Sequence, residues 1–191
     1  MDHIEKAAKI IKDGGIVIFP TDTAFGIGCR MDDEAAVNRL FSVRKRPPTK
    51  ATPVLAADLH MLEPYLQKVD NEVIEKLIKP FWPGGLTIVL PCRTDKVPEM
   101  VRNNDTLGVR VPNHLTTLAL INAVGVPIVG SSANFSGEPT PYQFADLDQE
   151  LIKLVDYVIP GETVTKEAST VIDVTQNPWK VLRQGAVTIE I

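Results

Sequence analysis

The stretch that decides the fold is Gly130-Ser131-Ser132-Ala133-Asn134-Phe135-Ser136-Gly137-Glu138-Pro139-Thr140-Pro141. It follows the apolar run 126–129, which predicts a buried strand. Hydroxyl, amide and glycine residues leave that strand together, and a concavity of such donors suits a phosphate or a nucleotide. The same residue types are ordinary turn formers. On its own, the stretch therefore leaves both a polar turn and a binding site open.

The composition predicts a single folded domain over residues 1–191. Apolar residues make up 44% of the chain and charged residues 23%, which is enough apolar surface for a core. The net charge of -4 argues against a surface that coats nucleic acid, although a local basic patch is compatible with it. Two cysteines without a pairing motif predict free thiols in a reducing, cytoplasmic location.

Several common kinds of segment and site are not expected from this sequence. The acidic N-terminus lacks a long apolar run, so we expect neither a leader peptide nor a membrane span. The three histidines are far apart in sequence, so we expect no resident metal site. The chain also lacks the glycine-rich phosphate-loop motifs, so a nucleotide would have to bind without them.

Hydrophobic periodicity predicts helices that alternate with strands early in the chain, followed by strands that crowd together late. The predicted helices are 3–13, 33–44, 71–79, 115–123 and 143–155; the main predicted strands are 16–19, 86–90, 106–112, 169–174, 179–183 and 187–191. This order predicts an α/β fold around a mixed sheet.

Three further segments carry side chains that suggest a site. Residues 20–28 place polar side chains beside glycines at a strand end, which is typical either of a ligand site or of a hydrogen-bonded turn. A second segment has four cations at and beyond a helix end, where they either complement the helix dipole or bind a polyanion: Arg44, Lys45, Arg46 and Lys50. Arg110 lies among apolar strand residues and so requires an anionic partner.

Seven segments, in order along the chain, resemble the motifs of one family. They are Phe19-Pro20-Thr21-Asp22-Thr23-Ala24-Phe25-Gly26-Ile27-Gly28-Cys29, Arg44-Lys45-Arg46-Pro47, Trp82-Pro83-Gly84-Gly85-Leu86-Thr87, Gly108-Val109-Arg110-Val111-Pro112, Ser132-Ala133-Asn134 with Ser136-Gly137, Ser169-Thr170-Val171-Ile172-Asp173, and Val181-Leu182-Arg183-Gln184-Gly185-Ala186. On these motifs the chain is identified as a member of the YrdC-like family, whose working members are threonylcarbamoyl-AMP synthases of the TsaC type. The length of the chain resembles that of the single-domain members.

The resemblance implies a twisted mixed sheet with flanking helices around a large basic cavity. It also implies a reaction in which L-threonine, bicarbonate or CO2, and ATP with Mg²⁺ give threonylcarbamoyl-adenylate and pyrophosphate. Downstream tRNA-modification proteins would then use the product, and direct contact with tRNA or double-stranded RNA is conceivable within the same family.

The resemblance assigns residues to two substrates. Threonine would be bound by Thr23, Arg110 and Ser169. ATP would be bound by Arg44, Arg46, Lys50, Thr106, Ser132, Asn134, Thr140 and Arg183. Arg46, Lys50, Ser132 and Asn134 would act on the reacting phosphates, with the arginine and lysine supplying charge and the Ser132/Asn134 loop supplying neutral donors.

One departure from the family pattern keeps a second interpretation open. Arg44 stands where the family usually has lysine, which preserves the charge but changes its geometry. This favours a YciO-like paralogue that has the same fold and no established synthase role. A third alternative is an RNA-binding module that uses the basic cavity without chemistry, although the net negative charge weakens it.

Overall fold

The computed structural model describes residues 2–190. Its helices are α1 His3–Lys12, α2 Glu34–Val43, α3 Leu59–Leu62, α4 Asn71–Val73, α5 Lys79–Phe81, α6 Leu115–Val124 and α7 Gln149–Leu154, with a π-helical turn Ile74–Ile78 joining α4 to α5 and a 3-10 turn Phe144–Asp146 before α7. Its strands are β1 Val17–Pro20, β2 Phe25–Gly28, β3 Val54–Leu55, β4 Leu86–Pro91, β5 Thr106–Arg110, β6 Ile128–Val129, β7 Ser131–Ser132, β8 Tyr157–Val158, β9 Thr170–Asp173 and β10 Lys180–Arg183.

The strands form two mixed sheets. The first has the order β7-β2-β1-β8, and the second has the order β10-β9-β4-β5-β3-β6. Each contains parallel and antiparallel pairs; for example, β4 runs antiparallel to β5 and parallel to β9. The mixed α/β class expected from the sequence is therefore confirmed, with the strands divided over two sheets.

The chain passes from one sheet to the other at Gly130. This glycine stands between β6, in the second sheet, and β7, in the first. Beside it, the Val129 amide donates to the Cys29 carbonyl at 2.9 Å, and Arg30 forms an antiparallel bridge with Ile128. The segment that begins at Gly130 therefore joins the two sheets.

Two buried clusters of apolar side chains hold the helices on the sheets. The smaller one packs α1 and α6 against β1, through residues such as Ile11, Leu120 and Phe19. The larger one joins α2 and the 71–81 helical segment to both sheets. Asp33 starts α2 by accepting a hydrogen bond from the Ala36 amide, as its position before the periodic segment predicts.

In the segment 20–28, a hydrogen-bonded turn from Thr21 to Ala24 leads into the strand β2, which pairs with β1. Two local predictions were wrong, each for a visible reason. The helix predicted over 143–155 is split, because the Asp148 side chain caps α7 instead of continuing a longer helix. Residues 187–190 form no strand, since both backbone groups of Val187 are bonded to the Thr170 hydroxyl; Ile191 lies outside the described residues.

Every helix within residues 2–190 is too short or too polar to cross a lipid bilayer.

The contact between the sheets leaves no room for a side chain at Gly28. A Cβ atom there would lie 1.9 Å from the backbone carbonyl oxygen of Val129. We expect Gly28→Ala to lower the free energy of unfolding by about 3 kcal/mol or more, because the backbone must move apart. Urea denaturation measures this change. Gly108→Ala is the control, since its nearest contact would be 3.6 Å, and it should change stability by less than about 1 kcal/mol; equal losses in both variants would contradict the steric explanation.

Candidate functional site

A cavity of about 170 Å³ lies where the two sheets approach each other. Its walls combine hydroxyl side chains, three arginines and backbone from both sheets. The lining residues predicted from the sequence are Thr23, Arg46, Arg110, Ser132, Thr140, Ser169 and Arg183. The two sheets thus bring together residues that are up to 160 positions apart in sequence.

Arg110 is buried at one end of this first cavity and is held from three sides. Its Nε donates to the Gly84 carbonyl at 2.8 Å, its Nη1 donates to Thr23 Oγ1 at 2.8 Å, and its Nη2 donates to the Asp22 carboxylate. The anionic partner that the sequence required for Arg110 is therefore Asp22, a residue of the chain itself. A guanidinium carries five N–H bonds, so donors are left over for a ligand.

Arg183 and Ser169 form a second arrangement on the opposite wall. Arg183 donates from Nε to the Ser169 carbonyl at 2.9 Å and from Nη2 to Ser169 Oγ at 3.0 Å. Ser169 Oγ lies 2.9 Å from Thr87 Oγ1 on the neighbouring strand β4. Two hydroxyl groups are therefore connected to one guanidinium.

Arg44 forms a third arrangement, but it does so behind the cavity wall. It is 2% exposed, and it donates from Nε to the Asn134 carbonyl at 3.0 Å and from Nη1 to Ser131 Oγ at 2.6 Å. Ser131 Oγ in turn lies 2.7 Å from Thr52 Oγ1. Arg44 lines neither this cavity nor its neighbour. Its fork fixes the end of α2 to the loop that carries Ser132 and Asn134.

The Asn134 side chain is committed to its own loop. Its Nδ2 donates to the carbonyls of Phe135 and Glu138, each at 2.8 Å, and two carbonyls can only accept. Both amide hydrogens are therefore used within the loop, and the assignment of Asn134 as a donor to ATP stays a prediction. What the side chain retains is Oδ1, a buried oxygen without a hydrogen-bond partner among the described residues.

Arg46 and Lys50 belong to the loop beyond α2. Arg46 donates from Nε to the Lys50 carbonyl at 3.0 Å and from Nη2 to the Ala51 carbonyl. These bonds hold its guanidinium at the cavity, whereas Lys50 lines neither cavity. The structure thus places Arg46 at the site and leaves Lys50 exposed at its edge.

A second cavity, of about 350 Å³, adjoins the first. Its predicted residues are Thr106, Arg46 and Arg183, and its other lining residues include the apolar Val89 and Val171 and the acidic Asp173. Four residues line both cavities: Arg46, Pro53, Thr87 and Arg183. The two cavities are therefore neighbours, and these four shared residues form the junction between them.

The electrostatics of the site differ between its arginines. Within residues 2–190 Arg110 has a carboxylate partner, whereas Arg44, Arg46 and Arg183 have none. Burial, together with the nearby charge of Arg46, lowers the pKa of Arg44 to about 10, and burial lowers the pKa of Arg46 and of Arg183. Burial also lowers the pKa of Arg110, while Asp22 opposes that shift. Arg46 and Arg183, which line the first cavity, are thus partly desolvated without a carboxylate partner among the described residues, which favours an anionic ligand.

Sequence reasoning missed the residues that support the site. Asp22 and Thr87 lie within quoted motifs, at strand ends beside assigned residues, but no role was given to either. Asp22 had a usable signal, because a buried arginine demanded a carboxylate and Asp22 was the acidic residue in a polar strand-end segment. Thr52 and Ser131 carried no signal beyond their hydroxyl groups.

The comparisons with known proteins agree with this geometry. The model of the Sua5/YciO/YrdC family, described as Telomere recombination, matches residues 9–185. The chain therefore belongs to the Sua5/YciO/YrdC family.

Among curated relatives, the threonylcarbamoyl-AMP synthase of Pyrococcus abyssi is 38% identical over 98% of this chain, and the one of Aliivibrio fischeri is 32% identical over 97%. The chain spans about half (55%) of the Pyrococcus protein and 100% of the Aliivibrio protein. Among solved structures, P. abyssi Sua5 complexed with L-threonine has a TM-score of 0.90 at 38% identity, covering 95% of this chain and 54% of that one. E. coli YciO has a TM-score of 0.84 at 30% identity, covering 95% and 88%.

The fork of Arg44 generates a prediction about the family's usual lysine. We expect Arg44→Lys to lower the free energy of unfolding by about 1–3 kcal/mol, because an ammonium on a flexible stem cannot reproduce both buried hydrogen bonds. Arg39→Lys, on the exposed side of the same helix, is the control; its surface pair with Asp156 predicts a change below about 1 kcal/mol. Denaturant titration compares the two variants. An unchanged stability in Arg44→Lys would mean that the position needs a cation and not a fork.

Proposed function

We propose that this protein is a threonylcarbamoyl-AMP synthase, which joins L-threonine, bicarbonate or CO2, and ATP into threonylcarbamoyl-adenylate and releases pyrophosphate. Relatives named threonylcarbamoyl-AMP synthase match nearly the whole chain, including one that it covers from end to end. The P. abyssi structure with L-threonine supports the amino acid as a ligand of this fold.

One observation of the site carries the proposal: Arg110, which has a carboxylate partner, lines only the first cavity, whereas Arg46 and Arg183, which have none among the described residues, line both cavities. The Arg110–Asp22 pair is neutral overall and offers directed donors, which suits the single carboxylate of a zwitterionic amino acid. Arg46 and Arg183, at the junction, lack carboxylate partners among the described residues and suit the oxygens of a polyphosphate. Arg110 would thus bind the carboxylate of the amino acid, and Arg46 and Arg183 would bind the phosphates of the nucleotide.

The reaction needs positioning and charge stabilisation rather than a side-chain nucleophile. The neutral amino group of threonine bonds to the carbon of CO2 and loses a proton, which gives a carbamate. Starting from bicarbonate, the C–OH bond breaks and the hydroxide takes up that proton and leaves as water. A carbamate oxygen then bonds to the α-phosphorus of ATP as the bond to the pyrophosphate oxygen breaks. Arg46 and Arg183 would stabilise the charge that develops on the phosphate oxygens, and Thr23, Arg110 and Ser169 would hold the threonine.

The remaining ATP contacts would come from the loops around the junction. Ser132 and Thr140 line the first cavity and Thr106 lines the second. Arg44 would act through the loop it supports, and Lys50, exposed at the edge, would reach the phosphates only by moving inward. Mg²⁺ would enter with ATP, because among residues 2–190 no three acidic, histidine or cysteine side chains cluster.

The wider role follows from the reaction. The product would pass to proteins that transfer the threonylcarbamoyl group to tRNA, in the cytoplasm, and contact with tRNA or double-stranded RNA is part of the same proposal. A YciO-like paralogue without synthase activity is the second candidate, supported by the Arg44 substitution and by the likeness to E. coli YciO.

The assay that separates the two candidates is pyrophosphate release. With ATP, Mg²⁺, L-threonine and bicarbonate we expect continuous release, and omission of threonine or bicarbonate should reduce it to background. The purified protein is tested with each component left out in turn, in CO2-depleted buffer. Release that ignores threonine, or no release at all, would count against the synthase and favour the paralogue.

The division of the cavity predicts different losses for two arginines. Arg46→Ala should weaken ATP binding about 10- to 100-fold, the scale of a lost charged hydrogen bond. The reason is that the Arg46 guanidinium, which has no carboxylate partner among the described residues, would bind the phosphates directly. Arg110→Lys should raise the KM for threonine at least about tenfold while changing ATP affinity by less than about threefold, since lysine keeps a cation beside Asp22 but loses the fork. Calorimetry with ATP and initial rates with threonine measure both; a loss of ATP binding in Arg110→Lys would show that the arginine serves the nucleotide.

A further inference from the structure

Thr87 occupies the junction between the two cavities. It lies on β4, is 3% exposed and lines both cavities. Pro53, Arg46 and Arg183 also line both cavities. Pro53 has no side-chain donor, and the two arginines suit phosphate. Thr87 is therefore the neutral hydrogen-bonding side chain among the residues that line both cavities.

The hydrogen bonds around Thr87 leave a proton for a ligand. Arg183 can only donate, so Ser169 Oγ accepts from its Nη2 at 3.0 Å. The bond of 2.9 Å between Ser169 Oγ and Thr87 Oγ1 uses one of the two hydroxyl protons. Neither hydroxyl donates to any other acceptor within residues 2–190. When Ser169 donates to Thr87, the chain runs from Arg183 through Ser169 to Thr87, and each bond polarises the next.

The order of atoms in the product shows what this proton would meet. In threonylcarbamoyl-adenylate the carbonyl group stands between the threonine nitrogen and the α-phosphorus. With threonine beside Arg110 and the phosphates beside Arg46 and Arg183, that carbonyl group would lie next to Thr87 at the junction. One carbamate oxygen attacks phosphorus, and the other keeps negative charge that needs a donor.

We propose that Thr87 is a substrate-binding residue whose hydroxyl donates to the non-attacking oxygen of the carbamate, and so fixes the attacking oxygen towards the α-phosphorus. The inference rests on the proposed synthase activity and adds to it the residue that holds the one-carbon substrate. Because Thr87 lines both cavities, a carbamate bound to it would contact the first and the second cavity. Binding of threonine and of ATP alone does not require its hydroxyl.

The test compares Thr87→Val, which keeps the shape and removes the hydroxyl, with Thr87→Ser, which keeps the hydroxyl. In the pyrophosphate assay at saturating threonine and ATP, Thr87→Val should lower kcat/KM for bicarbonate about 10- to 100-fold, the effect of losing a hydrogen bond to a charged acceptor. Thr87→Ser should stay within about threefold of the unmodified protein. The KM for ATP and its affinity by calorimetry should change less than about twofold in both.

Thr117→Val is the matched control, because Thr117 is fully buried, bonds to the Pro20 carbonyl and lines neither cavity. It should leave kcat/KM for bicarbonate unchanged, whatever its stability. If Thr87→Val fails to fold, Thr87→Ala replaces it, with the same expected loss. A folded variant without the hydroxyl that uses bicarbonate normally would overturn the inference, and so would equal losses for bicarbonate and ATP. Failure of the unmodified protein to release pyrophosphate would instead refute the synthase proposal on which the inference rests.

Discussion

The structure depends on burying guanidinium groups between two sheets. Taking an ion out of water costs several kcal/mol, and the cost is recovered only when hydrogen bonds and charge partners surround it. Arg110 meets this requirement with a carboxylate, a hydroxyl and a carbonyl. Arg44 and Arg183 meet it only with neutral oxygen atoms of the chain. The difference divides the site into a compensated end and a positively charged remainder.

The same contacts hold the two sheets in register. Arg110 belongs to the second sheet, whereas Asp22 and Thr23 lie between the β1 and β2 strands of the first. A buried ion pair therefore spans the gap that becomes the cavity. Gly28 and Gly130 allow the backbones to approach on the other side of this gap, where a Cβ atom would collide with Val129 or Leu55. The contacts that hold the two sheets together therefore also shape the site.

A repeated arrangement gives the site its directional chemistry. Three arginines each donate to a hydroxyl group, and each hydroxyl lies beside a second one: Arg44 with Ser131 and Thr52, Arg110 with Thr23 and Thr21, and Arg183 with Ser169 and Thr87. Because a guanidinium only donates, each first hydroxyl must direct its proton elsewhere. In the Arg110 chain, Thr21 donates to the Ala24 carbonyl. The Arg183 chain ends at the junction of the cavities instead, which is where a substrate would accept it.

The sequence by itself determined the α/β class, the main helices, the family and seven of the residues that line the first cavity. These follow from local periodicity and from motifs, such as Arg44–Pro47 and Ser132–Asn134, whose residue types are informative one segment at a time. Only the tertiary structure decided which arginine is compensated, because Asp22 and Arg110 are 88 positions apart. It likewise decided that Arg44 and the Asn134 amide support the loop from behind the wall, and that Thr87 faces both cavities. The physical reason is that burial and charge compensation depend on which strands of the two sheets meet across the gap, and no local pattern records that.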